Sequence, residues 1–365
     1  MIGHLCHTAE KGDPTLVLDR RALPGDEREL AAALLLARDW LTAAQGIDIT
    51  TIAMIEPSAD PEFDLDHRFA RYLPGSSPRF ALRGSCGHAI LCSVAVAQRL
   101  AWLPRHTAGR PLRVKVLNTG DRVECEVDGT GRTATFAVEF AYRPPRRLRD
   151  LLPTGTPREE LDGLTVSMVS AGNPHVLVDA ADLGLHDQET LFAAGPAVRR
   201  RLAGLRRGAA RRLGLPEDGA FPGIAAVGQY QYRRLAVLPL PAPGATDPPS
   251  GPDESAPLAP ADAITVAAAA VIEGTVAQRL ATRGWSRADE LVVDTPGGTT
   301  VVRLAVSGTT ADDTLTRARV RRRTIRYAGP VLLEPLRGLM LTPQDAPRPL
   351  ALRRHPVMHA SAHSR

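Results

Sequence analysis

Gly84-Ser85-Cys86-Gly87-His88 sets one cysteine among small residues, directly ahead of the apolar run from Ala89 to Ala97. That run is apolar on nearly every side and predicts a helix buried all round. A glycine-flanked turn into such a helix leaves the first backbone N–H groups pointing into the turn. Those groups and the helix dipole favour anions. A thiol at that place is expected to be exposed, with its pKa lowered toward thiolate. The same donors could hold a substrate carboxylate. The chemistry implied is proton abstraction from carbon, with Cys86 as the base. The competing reading is a tight corner before a core helix, because cysteine usually just packs.

The chain has 365 residues, enough for two domains with real cores. No apolar run reaches membrane-spanning length, and the start, Met1 to His7, does not read as a signal peptide. Cys6, Cys86, Cys92 and Cys125 have no metal-ligand spacing and are too few for a disulfide framework. A cytoplasmic location is expected, with no membrane partner. The pI near 9.3 comes almost wholly from arginine, since Lys11 and Lys115 are the only lysines. In the run Arg199 to Arg212, Val198, Leu202, Leu205, Ala209 and Leu213 repeat at helical spacing, so the arginines are expected on the wet face of an amphipathic helix. A second cluster, Arg319 to Arg326, reads the same way, as solvated. Neither cluster has interleaved aromatic residues, and no nucleic-acid partner is expected.

The elements that must position Cys86 follow in order. Residues 15–18 read as a strand, and Asp26 with Glu29 opens a helix carrying Leu30, Leu34, Ala37 and Leu41 on one face. Strands are expected over 49–55, 112–118, 122–127 and 133–140, with a short element at 64–69. The helix after Cys86 is closed by Pro104. The basic, proline-bearing stretch Arg143 to Arg147 breaks the pattern and suggests a domain junction. In the second half, strands are expected at 164–169, 175–178, 235–238, 290–294, 300–306 and 324–333. A loop of low apolar content reaches about residue 258. Ala261 to Gly274 is a second helix apolar all round, and Pro296-Gly297-Gly298 is a turn. Each half thus holds several short strands and one wholly apolar helix that needs wrapping. Two similar domains of the α+β class, with a ligand cleft between them, satisfy that need.

Several of these pieces resemble the PrpF-type 2-methylaconitate cis–trans isomerases and the related 4-oxalomesaconate tautomerases. They are Gly84 to His88 with its helix, Leu151 to Gly155, Ser170-Ala171-Gly172-Asn173-Pro174-His175, Val178 to Gly184, and Ala267 to Val276. The resemblance runs over roughly residues 10–340, with Asn173-Pro174 its most specific piece. It implies the diaminopimelate epimerase-like fold: two pseudo-symmetric domains, each a curved mixed sheet or barrel around a central apolar helix. The expected domains are 1–150 and 151–342, followed by a disordered tail at 343–365. It also implies cofactor-independent proton transfer on unsaturated di- or tricarboxylates, with Cys86 on the family's active-site cysteine. Departures accompany it. The family lysine is Thr51, and of an N-terminal Gly-rich segment only Lys11 and Gly12 remain. Tyr142-Arg143-Pro144-Pro145 replaces another Gly-rich loop, Ala261-Asp262 replaces a Thr-Gly pair, and Pro296-Gly297-Gly298 replaces Pro-Ser-Gly.

Moving a double bond needs a base, an acid and donors for the developing charge. Cys86 is the catalytic candidate. The expected substrate contacts are Ser85, Gly87, His88, Asn173, His175, Thr51, Asp262, Gly297 and Gly298. Thr51 cannot titrate in place of a lysine. His88 titrates in a useful range but reads better as a hydrogen-bonding residue. Asp262 is a natural helix N-cap. Its carboxylate would take the place of a bound anion, which argues against an unchanged dicarboxylate. Cys92, ~9 Å further along the helix, reads as core, and so does Cys125. No metal, nucleotide or flavin is expected; the expected partner is a small molecule, with a homodimer left open. Three functions stand: an isomerase or tautomerase using Cys86, a repurposed enzyme closing a ring or moving a double bond in a larger intermediate by positioning, and a binding protein without turnover.

Overall fold

The structure is a computed structural model and describes residues 1–8, 14–103, 110–128, 132–241, 258–281, 290–308, 310 and 312–339. Pro104, Lys11, Gly12, most of the loop before residue 258 and the segment 343–365 lie outside the described residues.

The first half runs β1 (Ile2–Thr8), β2 (Thr15–Asp19), α1 (Glu27–Gln45), β3 (Thr51–Pro57), β4 (Leu65–Leu73), β5 (Arg79–Ala81), α2 (Gly87–Arg99), β6 (Leu112–Val116), β7 (Arg122–Asp128) and β8 (Thr133–Arg147). The second runs β9 (Glu159–Leu161), β10 (Leu164–Ser170), β11 (Pro174–Asp179), α3 (Gln188–Phe192), α4 (Pro196–Arg212), β12 (Gly223–Gln231), β13 (Arg234–Pro239), α5 (Pro260–Val271), α6 (Val276–Ala281), β14 (Leu291–Thr295), β15 (Gly298–Val306) and β16 (Thr314–Leu332). Local signals set many of these limits. Asp26 caps α1 by accepting from Arg28 N and Glu29 N, and Gly46 ends it at φ 66°.

All strands join one mixed sheet. β1 pairs with both β2 and β16, which closes β1-β2-β3-β4-β6-β7-β8-β16 into a ring. From β16 the sheet continues through β15, β14, β13, β12, β11 and β10 to β9. The same series of pairings occurs twice. β2 and β3 are parallel neighbours across α1, and β4 and β6 across α2; β11 and β12 are parallel across α3 and α4, and β13 and β14 across α5 and α6. Parallel neighbours need such crossovers, because a tight turn only joins antiparallel strands.

α2 packs against β1–β4, β8 and β16, and α5 against β10, β11, β15 and β16. One apolar core holds both helices, while a second lies under α1 and a third under α3 and α4. α5 is buried at eleven of its twelve positions, as its all-round apolar sequence requires.

Four expectations change. The stretch Arg143 to Arg147 does not interrupt its strand: Arg146 and Arg147 pair with Leu315 and Thr314, and the prolines fall at a register shift. A bulge tolerates residues that lack an N–H. β1 and β12 form without a sequence signal. β12 is rich in Gly and Ala, and it becomes a strand because β11 and β13 pair with it on either side. The arginines of α4 are not all wet: Arg206 is buried and donates to Gly219 O and Glu217 O, both at 2.9 Å. In β16 a second register shift, between Val320 and Arg323, changes the alternation, so Arg323 turns inward and is 2% exposed.

Candidate active site

The turn before α2 is fixed by residues from the other half of the chain. Gly84 holds φ 82°, and a Cβ there would lie 2.3 Å from the Phe221 ring. The buried Asn173 side chain grips the Ser85 backbone both ways, accepting from Ser85 N at 2.9 Å and donating to Ser85 O at 2.8 Å. Tyr142 donates to Ala171 O at 2.8 Å and ties β8 to the loop that carries Asn173. Gly87 begins α2 directly against Pro260, which begins α5; a Cβ on Gly87 would lie 2.6 Å from Pro260 Cβ. The N-termini of the two buried helices therefore abut.

Cys86 is the N-cap of α2, with extended backbone. Its thiol is buried at 8% residue exposure, not open as the turn suggested. Burial pushes its pKa up; the Arg71 charge and the backbone N–H groups of Ala89 and His88 oppose that, and the Asp262 charge adds to it. The expected lowering does not occur, because desolvation of the charged form outweighs the helix end and the cation together.

Asp262 is the third residue of α5, not its N-cap, which is Ala259. Its Oδ1 lies 3.4 Å from Asn173 Nδ2 and 3.4 Å from His175 Nε2. His175 is buried, its Nδ1 3.3 Å from Asn173 O. Gly223 makes room for this ring, since a Cβ there would meet His175 Nε2 at 2.4 Å. Thr265 on α5 donates to Ala261 O at 3.1 Å and to Asn173 O at 3.4 Å.

Burial and the charges of Arg323 and Arg71 hold His88 down to a pKa of about 3, so it stays neutral. Its Nε2 is a buried atom without a hydrogen-bond partner, so the expected hydrogen-bonding role is not made within the chain. The hydroxyl of Ser85 is in the same position. Thr51 is buried at the start of β3, opposite Arg71 of β4. Arg323 donates to Leu258 O at 2.9 Å and to Thr300 Oγ1, beside the entry to α5.

Ser85, Cys86, Gly87, His88, Asn173, His175 and Asp262 are thus brought together. Gly297 and Gly298 are not joined to them by any hydrogen bond among the described residues; Gly298 is exposed at the tip between β14 and β15. Arg71 and Arg323 escaped sequence reading. Arg71 carried a signal in the alternation of β4, whereas Arg323 is decided by a bulge that no local pattern announces. Cys92 and Cys125 are buried in the core, the latter pushed up to about 12 by desolvation. Cys6 acts on the buried Cys92 and, with desolvation, pushes its thiol pKa up. Among the described residues no group of three or more His, Cys, Asp or Glu side chains gathers to hold a metal ion, and no helix is long and apolar enough to cross a membrane.

No protein-family profile matches the chain. It is 27% identical to the 4-oxalomesaconate tautomerase of Pseudomonas putida over 276 residues, 70% of this chain and 74% of that protein. The crystal structure of a methylitaconate-delta-isomerase superposes with a TM-score of 0.61, at 18% identity, covering 95% of this chain and 99% of the other. Both are in line with the resemblance to tautomerases and isomerases that the sequence motifs carry. The fold is that of the proline racemase and diaminopimelate epimerase group. A probable proline racemase from Agrobacterium radiobacter, with bound carbonate, superposes at TM-score 0.54 and 11% identity, covering 91% of this chain and 92% of that one. A hydroxyproline epimerase from Agrobacterium vitis, with bound trans-4-hydroxy-L-proline, does so at 0.53 and 13%, covering 94% and 96%.

Proposed function

We propose that the protein is an isomerase that shifts a proton, and with it a double bond, along an unsaturated carboxylate without a cofactor. The observation that carries this is the abutment of two buried helix N-termini, one capped by the Cys86 thiol and the other bearing the Asp262 carboxylate, whose charge acts on that thiol. Residues 1–150 and 151–342 are read as pseudo-symmetric domains with the site between them; the twice-repeated series of strand pairings supports this. The tautomerase similarity supports a small carboxylate as substrate.

The chemistry needs one group to take a proton from the carbon next to an activating carbonyl and another to return it further along. In the free protein Cys86 is a thiol, because burial holds its proton on. The thiol is therefore the acid in one direction, and Asp262, oriented by Asn173 and His175, is the base. Isomerisation is reversible, so in the other direction the thiolate of Cys86 is the base and Asp262 returns the proton. Arg71 and the N–H groups of His88 and Ala89 offset part of the cost of that thiolate. The neutral His88 and the Ser85 hydroxyl leave buried polar atoms for substrate.

The test is proton exchange in deuterated water with mesaconate, itaconate and cis-aconitate. The enzyme should place deuterium on carbon. Cys86→Ala should lower exchange by about 10²–10⁴-fold, with Asp262→Asn similar, as for removal of a general acid or base. Full activity in Cys86→Ala would sink the assignment.

Asp262 also supports a second reading. Its carboxylate stands in the first turn of α5, where a bound anion would otherwise sit. A repurposed relative that takes a larger, less anionic intermediate, as a cyclase or a double-bond isomerase working by positioning, fits that charge. No exchange on any small carboxylate would favour it.

A further inference from the structure

Arg71 of β4 pairs with Ala81 of β5, five residues before Cys86. β4 alternates, and its inner side chains Leu65, Phe69 and Leu73 are buried. His67 shares that face, with Nδ1 2.9 Å from Ser93 Oγ on α2. Arg71 lies on the same face, four residues beyond His67, or about 13 Å along the strand. Cys86 lies seven residues before Ser93, about 10 Å back along the helix. α2 is the crossover between the parallel strands β4 and β6 and so runs opposite to them. The two displacements point the same way and bring the Arg71 guanidinium to the Cys86 end. Its charge acts on both Cys86 and His88.

Arg71 is directly opposite Thr51 in the antiparallel pair β3–β4, and opposed residues share a face. Thr51 is buried, uncharged and short. Other arginines are already engaged, Arg68 with Glu27 and Arg79 with Asp218, while Arg323 donates to Leu258 O and Thr300 Oγ1; Arg83, just before the turn, is exposed to solvent rather than half-buried. Arg71 is half-buried, and no ion pair or hydrogen bond joins its side chain to another of the described residues. A half-buried guanidinium whose charge acts on a thiol, with no carboxylate partner among the described residues, is suited to a carboxylate from outside.

We propose that Arg71 is the carboxylate anchor of the site: it grips one carboxylate of the substrate and so lays the neighbouring carbon against Cys86. This rests on the isomerase reading and adds an orientation to it. Asp262 acts on Cys86 from the other half, so the anionic end of the substrate points to Arg71 and the end near Asp262 carries less negative charge. A half-ester of a dicarboxylic acid meets both demands better than the diacid.

The test uses the full chain with mesaconate and its monomethyl ester, by calorimetry and by deuterium exchange. Arg71→Gln should weaken binding of both by about 10- to 100-fold, the usual worth of a charge-assisted hydrogen-bonded pair. KM should rise by the same factor with kcat changed much less. Arg71→Lys should restore part of the loss, as a point charge without the fork. The half-ester should bind the unaltered protein more tightly than the diacid, and Asp262→Asn should narrow that gap. Thermal unfolding of Arg71→Gln should match the parent, since the side chain makes no bond to the described residues. Equal affinity in parent and Arg71→Gln, or no binding of either compound to the parent, overturns the anchor. Arg71-dependent binding without exchange would overturn the isomerase reading and leave the anchor standing; exchange that ignores Arg71 would do the reverse.

Discussion

At the scale of single residues, the site turns on a contest between desolvation and local charge. The helix end and Arg71 favour the thiolate of Cys86, and burial with Asp262 disfavours it more. In the substrate-free protein, iodoacetamide should therefore alkylate Cys86 slowly at neutral pH. The rate should climb only at a pH above the midpoint for the denatured chain, because burial pushes the Cys86 thiol up. Peptide mapping by mass spectrometry over a pH series reads both midpoints. A Cys86 midpoint below that of the denatured chain would show that the helix end wins after all. The residue type and the turn were legible in the sequence as a place for chemistry. The direction of the pKa shift was not, because it depends on burial by elements distant in sequence, to which the Asp262 charge adds.

At the scale of elements, the geometry depends on how closely α2 and α5 approach. Gly87 permits it by having no Cβ to meet Pro260. Gly87→Ala gains up to about 1 kcal/mol of helix propensity. Overpacking against a stiff proline ring costs about 1–3 kcal/mol. The second is larger, so the variant should unfold at lower urea. It should also lose exchange activity, because the two N-termini are forced apart. Urea titration alongside deuterium exchange measures both effects; a variant with parental stability and activity would show that the contact is slack. The two apolar helices were readable from composition alone, since a segment apolar all round has nowhere to go but inside. Their contact was not, because Gly87 and Pro260 look like ordinary helix starts.

At the scale of the whole molecule, the closed ring around α2 buries a histidine that cannot charge. His67 is wholly buried, and desolvation lowers its pKa to about 3. An unfolded chain takes that proton near pH 6.5, while the folded one refuses it until about 3. The unfolded state thus binds more protons across that window, so stability falls as pH falls through it, by about 1.4 kcal/mol per pH unit for each such group. His88 acts in the same direction. Carboxylates titrate mostly below pH 5, so a drop in the urea midpoint between pH 6.5 and 5 isolates the histidines. His67→Asn keeps a partner for Ser93 and should flatten that slope. An unchanged midpoint over the same range would mean that His67 is charged inside the fold.

The sequence by itself determined which segments had to be buried, where α1 begins, and that Cys86 stands in a turn ahead of a buried helix. These are properties of short windows, governed by periodicity, capping and turn chemistry. Tertiary structure alone decided that β16 closes the first half of the sheet, and that its bulge turns Arg323 inward. It alone placed Arg71 opposite Thr51 at the thiol, and set Asp262 beside His175 rather than at a helix cap. Each of these is a pairing between residues far apart in the chain. Register and burial fix them, and no local pattern of residue types carries that information.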